Sequence, residues 1–325
     1  MSEWEVVYLL PQSNGGDIWA IRGEETQQIT QTSGRVYDYS IVPDGQSIIY
    51  SQNNPSGGLD LWRAPRSGQQ AYQLLDCGKD WCNEGVMSLD GSTLAYSRSE
   101  YASQPAGSVN SRIWTLDIVS GNTTPLFRDA FIAGETPSWS PDGAYLVFFD
   151  PIAKGLRIVD MSSGESQFLS SDFASGSWSG DGKYLAFVDR VVLSAEEVIS
   201  RLYVVDIATQ EIRPLTELEE AQIDYSAPAW SPDGEWLAVG WRYAGGPPGK
   251  QLKLINLQSG KEQVIAQDLT YSHTSYHWST DGSWLVFQRV KLGDSQARPE
   301  VWVWERLRGE SRLLVQNAAW PQILP

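Results

Sequence analysis

The chain has 325 residues, a formal net charge of −16 at pH 7 and a hydrophobic fraction of 41%. A surface this acidic repels phosphate backbones, which argues against nucleic acid and anionic membranes as partners. No apolar run is long enough to cross a bilayer as a helix, so membrane insertion is not expected.

The first segment, Trp4-Glu5-Val6-Val7-Tyr8-Leu9-Leu10, reads as a strand. It is followed by a second strand at Asp17-Ile18-Trp19-Ala20-Ile21 and a third at Gln27-Gln28-Ile29-Thr30. Met1-Ser2-Glu3 leads straight into the first strand with no apolar leader. The protein is therefore expected to be cytoplasmic, or to have an export segment outside this sequence.

A single unit then recurs along the chain. Its strong copies are Ser138-Trp139-Ser140-Pro141-Asp142-Gly143, Ser177-Trp178-Ser179-Gly180-Asp181-Gly182, Ala229-Trp230-Ser231-Pro232-Asp233-Gly234 and His277-Trp278-Ser279-Thr280-Asp281-Gly282. Weaker copies are Ile41-Val42-Pro43-Asp44-Gly45 and Met87-Ser88-Leu89-Asp90-Gly91. Each reads as a hairpin in which Gly supplies the left-handed φ of the turn. A third strand follows each copy, as in Leu61-Trp62-Arg63, Ile113-Trp114-Thr115 and Val301-Trp302-Val303, and then a fourth. The Asp-Gly pairs stand about 40 to 50 residues apart, the period of propeller blades.

The opening strand lacks a strand before it, and Asn317-Ala318-Ala319-Trp320 at the other end has the form of the missing piece. The expected fold is all-β: one domain over 1–325, a seven-bladed β-propeller of four-stranded antiparallel blades. Pairing of the N- and C-terminal strands in one split blade, 1–30 plus 316–325, closes it. Seven blades of about 46 residues match the length.

The Trp-Ser-Pro-Asp-Gly unit closely resembles the TolB-like β-propeller repeat, over nearly the whole chain. The resemblance implies a propeller and leaves the activity open, since such propellers serve as protein-binding modules, as companions of enzymes and as enzymes. TolB-like proteins imply a periplasmic protein-interaction module, but they carry an extra N-terminal domain and one blade fewer. Oligogalacturonate lyases are similar seven-bladed propellers with a histidine-ligated metal, whereas this chain has only His273 and His277. Prolyl oligopeptidases add a hydrolase domain, and no Gly-x-Ser-x-Gly elbow is present here.

Cys77 and Cys82 share one loop, and a disulfide between them is expected, in keeping with a periplasmic or extracellular location. Long connections fall on one face, at 76–84, 99–110, 189–200, 217–227, 242–250, 267–275 and 290–299, and long loops on a rigid scaffold tend to carry function. The run Glu217-Leu218-Glu219-Glu220 reads as a solvated loop.

Alternation along the first strand of each repeat directs two positions to the central channel. The inner position reads Ser40, Val86, Ser138, Ser177, Ala229, His277 and Ala319, and the outer one Asp38, Glu84, Thr136, Ser175, Ala227, Ser275 and Asn317. The candidate binding site is the channel mouth formed by Asp38, Glu84, Asn317 and His277, rimmed by Tyr37, Trp81, Glu135, Tyr225, His273 and Tyr276. Asp38 and Glu84 are the candidate ligands for calcium. The same groups suit a basic peptide end or a sugar, or simply ordered water.

The leading function is a non-catalytic, monomeric module binding a protein, peptide or glycan on the loop-rich face. The alternatives are a carbohydrate-active hydrolase or lyase using Asp38 and Glu84 as acid and base, and a purely structural module of a larger assembly.

Overall fold

The computed structural model describes residues 5–101, 111–172, 176–192, 198–216 and 223–324. Trp4, Ser175, the acidic run 217–220 and parts of the expected long loops at 99–110, 189–200 and 217–227 lie outside them. Every strand and turn described belongs to an all-β chain, which falls into two compact units, 10–170 and 1–9 with 171–324.

In the second of these units, three four-stranded antiparallel meanders follow one another. They are β16 (Gly176–Trp178) to β19 (Ile212–Pro214), β20 (Ile223–Trp230) to β23 (Glu262–Ala266), and β24 (Tyr271–Trp278) to β27 (Glu310–Gln316). The last strand, β28 (Ala319–Ile323), runs antiparallel to β1 (Val6–Gln12), pairing Val6 with Ile323 and Val7 with Gln322. Packing between successive meanders forms the core. Ala186, Val188, Leu202 and Val204 meet Tyr225, Leu237 and Val239, and Ala238, Leu252 and Leu254 meet Tyr276, Leu285 and Phe287.

The unit spanning 10–170 contains β12 (Glu135–Trp139) to β15 (Ser166–Ser170), a separate four-stranded sheet. It also contains β2 (Gly15–Arg22) with β3 (Glu25–Gln28), β4 (Val36–Ile41) to β7 (Tyr72–Leu75), and β8 (Trp81–Met87) to β11 (Thr123–Pro125). These last groups are not separate sheets as the sequence led us to expect. They belong to one 12-stranded mixed sheet. Their connections are narrow, however: Gly16 with Val36 between β2 and β4, and a parallel bridge of Leu59 with Trp81 between β6 (Leu59–Pro65) and β8. Glycine makes the second contact possible, because a Cβ on Gly58 would lie 2.4 Å from the Asp80 and Gly78 carbonyl oxygens. Cys77 and Cys82 form a disulfide at the start of β8.

The Ser of the repeat has a specific task. Ser140, Ser179 and Ser279 donate their hydroxyls to Asp142, Asp181 and Asp281 at 2.5, 2.7 and 2.6 Å, and Ser231 does the same to Asp233. Each hydroxyl also accepts the N–H of the first residue of the return strand, Tyr145, Tyr184, Trp236 or Trp284. The Asp carboxylate takes a further N–H, such as that of Ala144 or Glu235, both at 3.0 Å. Gly234 completes its turn at φ 72°. The repeat Trp then ties neighbouring repeats, since Trp139 Nε1 donates to the Val86 carbonyl and Trp278 Nε1 to that of Ala229.

Ser231 is fully buried. Ser231→Ala strands the Trp236 N–H and is expected to cost about 1–3 kcal/mol in urea unfolding. Thr280→Ala, at an exposed site, is expected to stay within about 0.5 kcal/mol.

Candidate functional site

The first strand of the repeat does not alternate uninterrupted. A register shift falls between Asn83 and Val86, Glu135 and Ser138, Ser226 and Ala229, and Thr274 and His277. The outer-position residue sits in each bulge with a left-handed backbone: Glu84 at φ 56°, Thr136 at 52°, Ala227 at 41° and Ser275 at 49°. Asn317 has φ 56° just before β28. None is glycine, so each stores roughly 1–3 kcal/mol of strain.

Side chains from the preceding repeat hold two of these bulges. The Glu84 N–H donates to Asp38 Oδ2 at 3.0 Å. The Thr136 N–H donates to Glu84 Oε2 at 2.7 Å, and the Ser97 hydroxyl donates to the same oxygen at 2.7 Å. Carboxylates thus link β4, β8 and β12 in sequence, with Glu135 beside Thr136.

This row is electrostatically tense. Burial raises the Asp38 carboxyl to about 6, outweighing the hydrogen bond from the Glu84 N–H, and the Glu84 charge adds a smaller push in the same direction. Glu135 is also raised, by burial and then by Glu84. Asp38 keeps partial contact with water although protein crowds it closely. Tyr37 and Trp81 stand beside the row, 43% and 47% exposed, with ring centroids 6.2 Å apart and edge-on. The Trp81 indole N–H is anchored to the Gly57 carbonyl at 3.2 Å.

The remaining expected site residues lie in the other unit, and most are interior. Tyr225 is 2% exposed, with Lys253 Nζ 5.0 Å from its ring centroid. The Tyr276 hydroxyl donates to the Ser226 carbonyl at 2.8 Å and accepts the Gly240 N–H at 2.7 Å. His273 is buried against Phe287, its Nδ1 3.0 Å from the Lys250 carbonyl. These three were expected at a rim. Their rings instead fill the core, with the polar tips satisfied by backbone and neighbouring side chains. His277 and Asn317 are exposed. Crowding by protein lowers the His277 imidazole to about 4, so it is neutral at physiological pH.

Among the described residues no three His, Cys, Asp or Glu side chains converge to hold a cation. Calcium asks for six to eight oxygens, and the facing oxygens of Asp38 and Glu84 already accept N–H and O–H donors. The residues present therefore do not form a calcium cage.

Two buried carboxylates escaped attention in the sequence. Asp17 accepts from the Thr30 and Thr32 hydroxyls and from the Thr32 and Gly34 N–H groups. Asp60 accepts from Asn54, Gln73 and the Cys77 N–H. The available signal was an Asp two residues before Trp19 and Trp62.

The raised Asp38 pKa sets a pH dependence. The folded value lies above the unfolded one, so its contribution to stability is present below about pH 4 and lost as pH rises through about 6. Asp38→Asn removes this loss and keeps an acceptor for the Glu84 N–H. Allowing for partial exposure, the variant is expected to gain about 1–2 kcal/mol at pH 7.5 relative to pH 4, measured by urea unfolding at both pH values.

A family model for the TolB β-propeller domain matches residues 154–312. By sequence, the chain is similar to the uncharacterized peptidase YuxL of Bacillus subtilis (strain 168), 27% identical over 206 residues, which is 61% of this chain and 28% of that protein. The chain thus spans less than a third of that relative. Similar solved structures include a puromycin-hydrolyzing peptidase of Mycobacterium tuberculosis, with TM-score 0.67 and 16% identity over 99% of this chain and 52% of that one. The β-propeller domain of the Trilobed protease from Pyrococcus furiosus gives TM-score 0.64 and 15% identity, covering 96% of this chain and 94% of that one. An oligogalacturonate lyase of Vibrio parahaemolyticus gives TM-score 0.64 and 15% identity, covering 97% and 87%. At these identities the likeness is one of fold. The recurring Ser-Asp-Gly turns and the all-β architecture agree with the family match over 154–312, and the chain resembles the TolB β-propeller domain there.

Proposed function

We propose that the chain is a seven-bladed propeller, closed by a split blade of 1–30 and 316–325, that binds the cationic end of a peptide or protein without catalysis of its own. The observation that carries the reading is the Asp38–Glu84–Glu135 row flanked by the exposed rings of Tyr37 and Trp81. Carboxylates crowded enough to raise their pKa gain most from an approaching ammonium or guanidinium, and exposed aromatic rings add stacking and cation–π surface. The six Asp-Gly turns and the β1–β28 pairing support the blade count. The disulfide and the TolB-like fold favour a periplasmic or extracellular setting.

Isothermal titration with short Arg- or Lys-ended peptides and their neutral counterparts tests the reading. Cationic peptides are expected to bind more tightly at pH 7.5 than at pH 5 by about tenfold, because Asp38 protonates through about pH 6. The double variant Asp38→Asn, Glu84→Gln is expected to lose that difference. Equal binding of neutral peptides, or an unchanged double variant, contradicts it.

The 27% identity to a peptidase favours a second reading, in which the propeller serves a hydrolase. Hydrolysis of aminoacyl amide substrates by the purified chain, abolished by Asp38→Asn, supports that reading over simple binding.

A further inference from the structure

The repeats of this chain serve as templates for one another. In β25 (Trp284–Lys291) and β26 (Glu300–Glu305), Arg289 stands directly across from Glu300. Its guanidinium pairs with Glu300 at 2.7 Å and lies 3.9 Å from the centroid of the Trp302 ring. In β9 (Thr93–Ser99) and β10 (Ser111–Asp117), Arg98 covers Trp114 at 4.8 Å and pairs with Asp80 at 2.6 Å. These two repeats thus each carry a guanidinium held between a carboxylate and a tryptophan face.

The repeat built from β5 (Ser47–Asn53) and β6 keeps the carboxylate and the tryptophan but not the guanidinium. Asp60 and Trp62 occupy the places of Glu300 and Trp302, and the residue across from Asp60 is Gln52. Gln52 is too short to reach over the indole. Tyr271, which covers the other side of the Arg289 guanidinium at 4.0 Å, stands two residues before His273, the partner of Arg289. The matching position, two residues before Val36, the partner of Gln52, is Gly34.

Where the arginine is missing there is space. A cavity of about 440 Å³ is lined by Gln52, Asp60, Trp62 and Asp76, and it adjoins a second of about 420 Å³ that shares Arg35, Gln52 and Trp62. Gln52 is 8% exposed and lines both cavities. The Trp62 indole N–H is buried and unpaired. Arg35 lines both cavities. Its Nε is tied to the Thr32 carbonyl at 2.8 Å at the cavity edge, and Asp60 and Asp76 outnumber it.

We propose that this cavity is a binding site for a guanidinium group supplied from outside, such as the arginine side chain of a peptide. The guanidinium lies over Trp62 and faces Asp60, as Arg289 does between Trp302 and Glu300, and the Gln52 carbonyl oxygen accepts one of its N–H groups. The planar fork suits this slot better than an ammonium, since it stacks and hydrogen-bonds at once. The site stands apart from the Asp38–Glu84 row and does not depend on the function proposed for it.

The test uses N-acetyl-arginine methylamide, its citrulline analogue and its lysine analogue, titrated calorimetrically into the full chain. The arginine ligand is expected to bind at least tenfold more tightly than the citrulline ligand and more tightly than the lysine one. Gln52→Arg supplies the missing guanidinium, so it is expected to abolish binding while raising the Tm by about 2 °C. Trp62→Leu is expected to weaken binding at least fivefold, which keeps the test decisive should Gln52→Arg fold poorly. Absence of saturable arginine binding, equal affinity for citrulline, or binding that survives both substitutions overturns the proposal.

Discussion

One hydrogen bond governs the candidate site: a carboxylate on one first strand accepts the backbone N–H of a left-handed residue on the next. Glu84 and Thr136 stay in an unfavourable region of backbone space because Asp38 and Glu84 hold their N–H groups. This arrangement buries carboxylates on successive strands, and burial first, then the neighbouring Glu84 charge, raises the Asp38 and Glu135 carboxyls. The strain and the chemistry thus have the same origin. A site assembled this way is stiff, because moving either carboxylate releases a bulge.

The scaffold under the site rests on shorter-range interactions. The Ser–Asp clip closes each turn locally, the repeat Trp donates across to its neighbour, and apolar second and third strands pack between successive meanders. Each depends on residues close in sequence or at a fixed position of the repeat. That is why the turns, the strand order within each repeat and the pairing of the first and last strands were readable from the sequence. The merging of β2–β11 into one sheet was not. It depends on two single bridges and on Gly58, and a lone glycine outside a turn motif does not announce a close backbone approach.

The site was only partly legible. Tyr37, Asp38, Trp81, Glu84 and Glu135 are expected site residues, and in the structure they lie within one unit, with Asp38 and Glu84 joined by hydrogen bonds to successive first strands. The reason first given for their orientation, strict alternation, ignored the bulge. A bulge is invisible in sequence when its left-handed residue is Glu, Thr, Ala or Ser rather than Gly. Tyr225, Tyr276 and His273 were misplaced because an aromatic with a polar tip reads alike whether that tip meets water or a backbone carbonyl. The slot at Gln52 is marked by comparison with two repeats, since Arg289 and Arg98 occupy the position that Gln52 takes here.

The account stands on the crowding of the carboxylate row, and site-resolved NMR titration of the Asp38 side-chain carboxyl in the intact chain tests it most directly. An apparent pKa near 6 that stays raised, falling only in part, when Glu84 is replaced by Gln agrees with it, since burial is the larger cause. An Asp38 that titrates near 4 in the unaltered protein contradicts it.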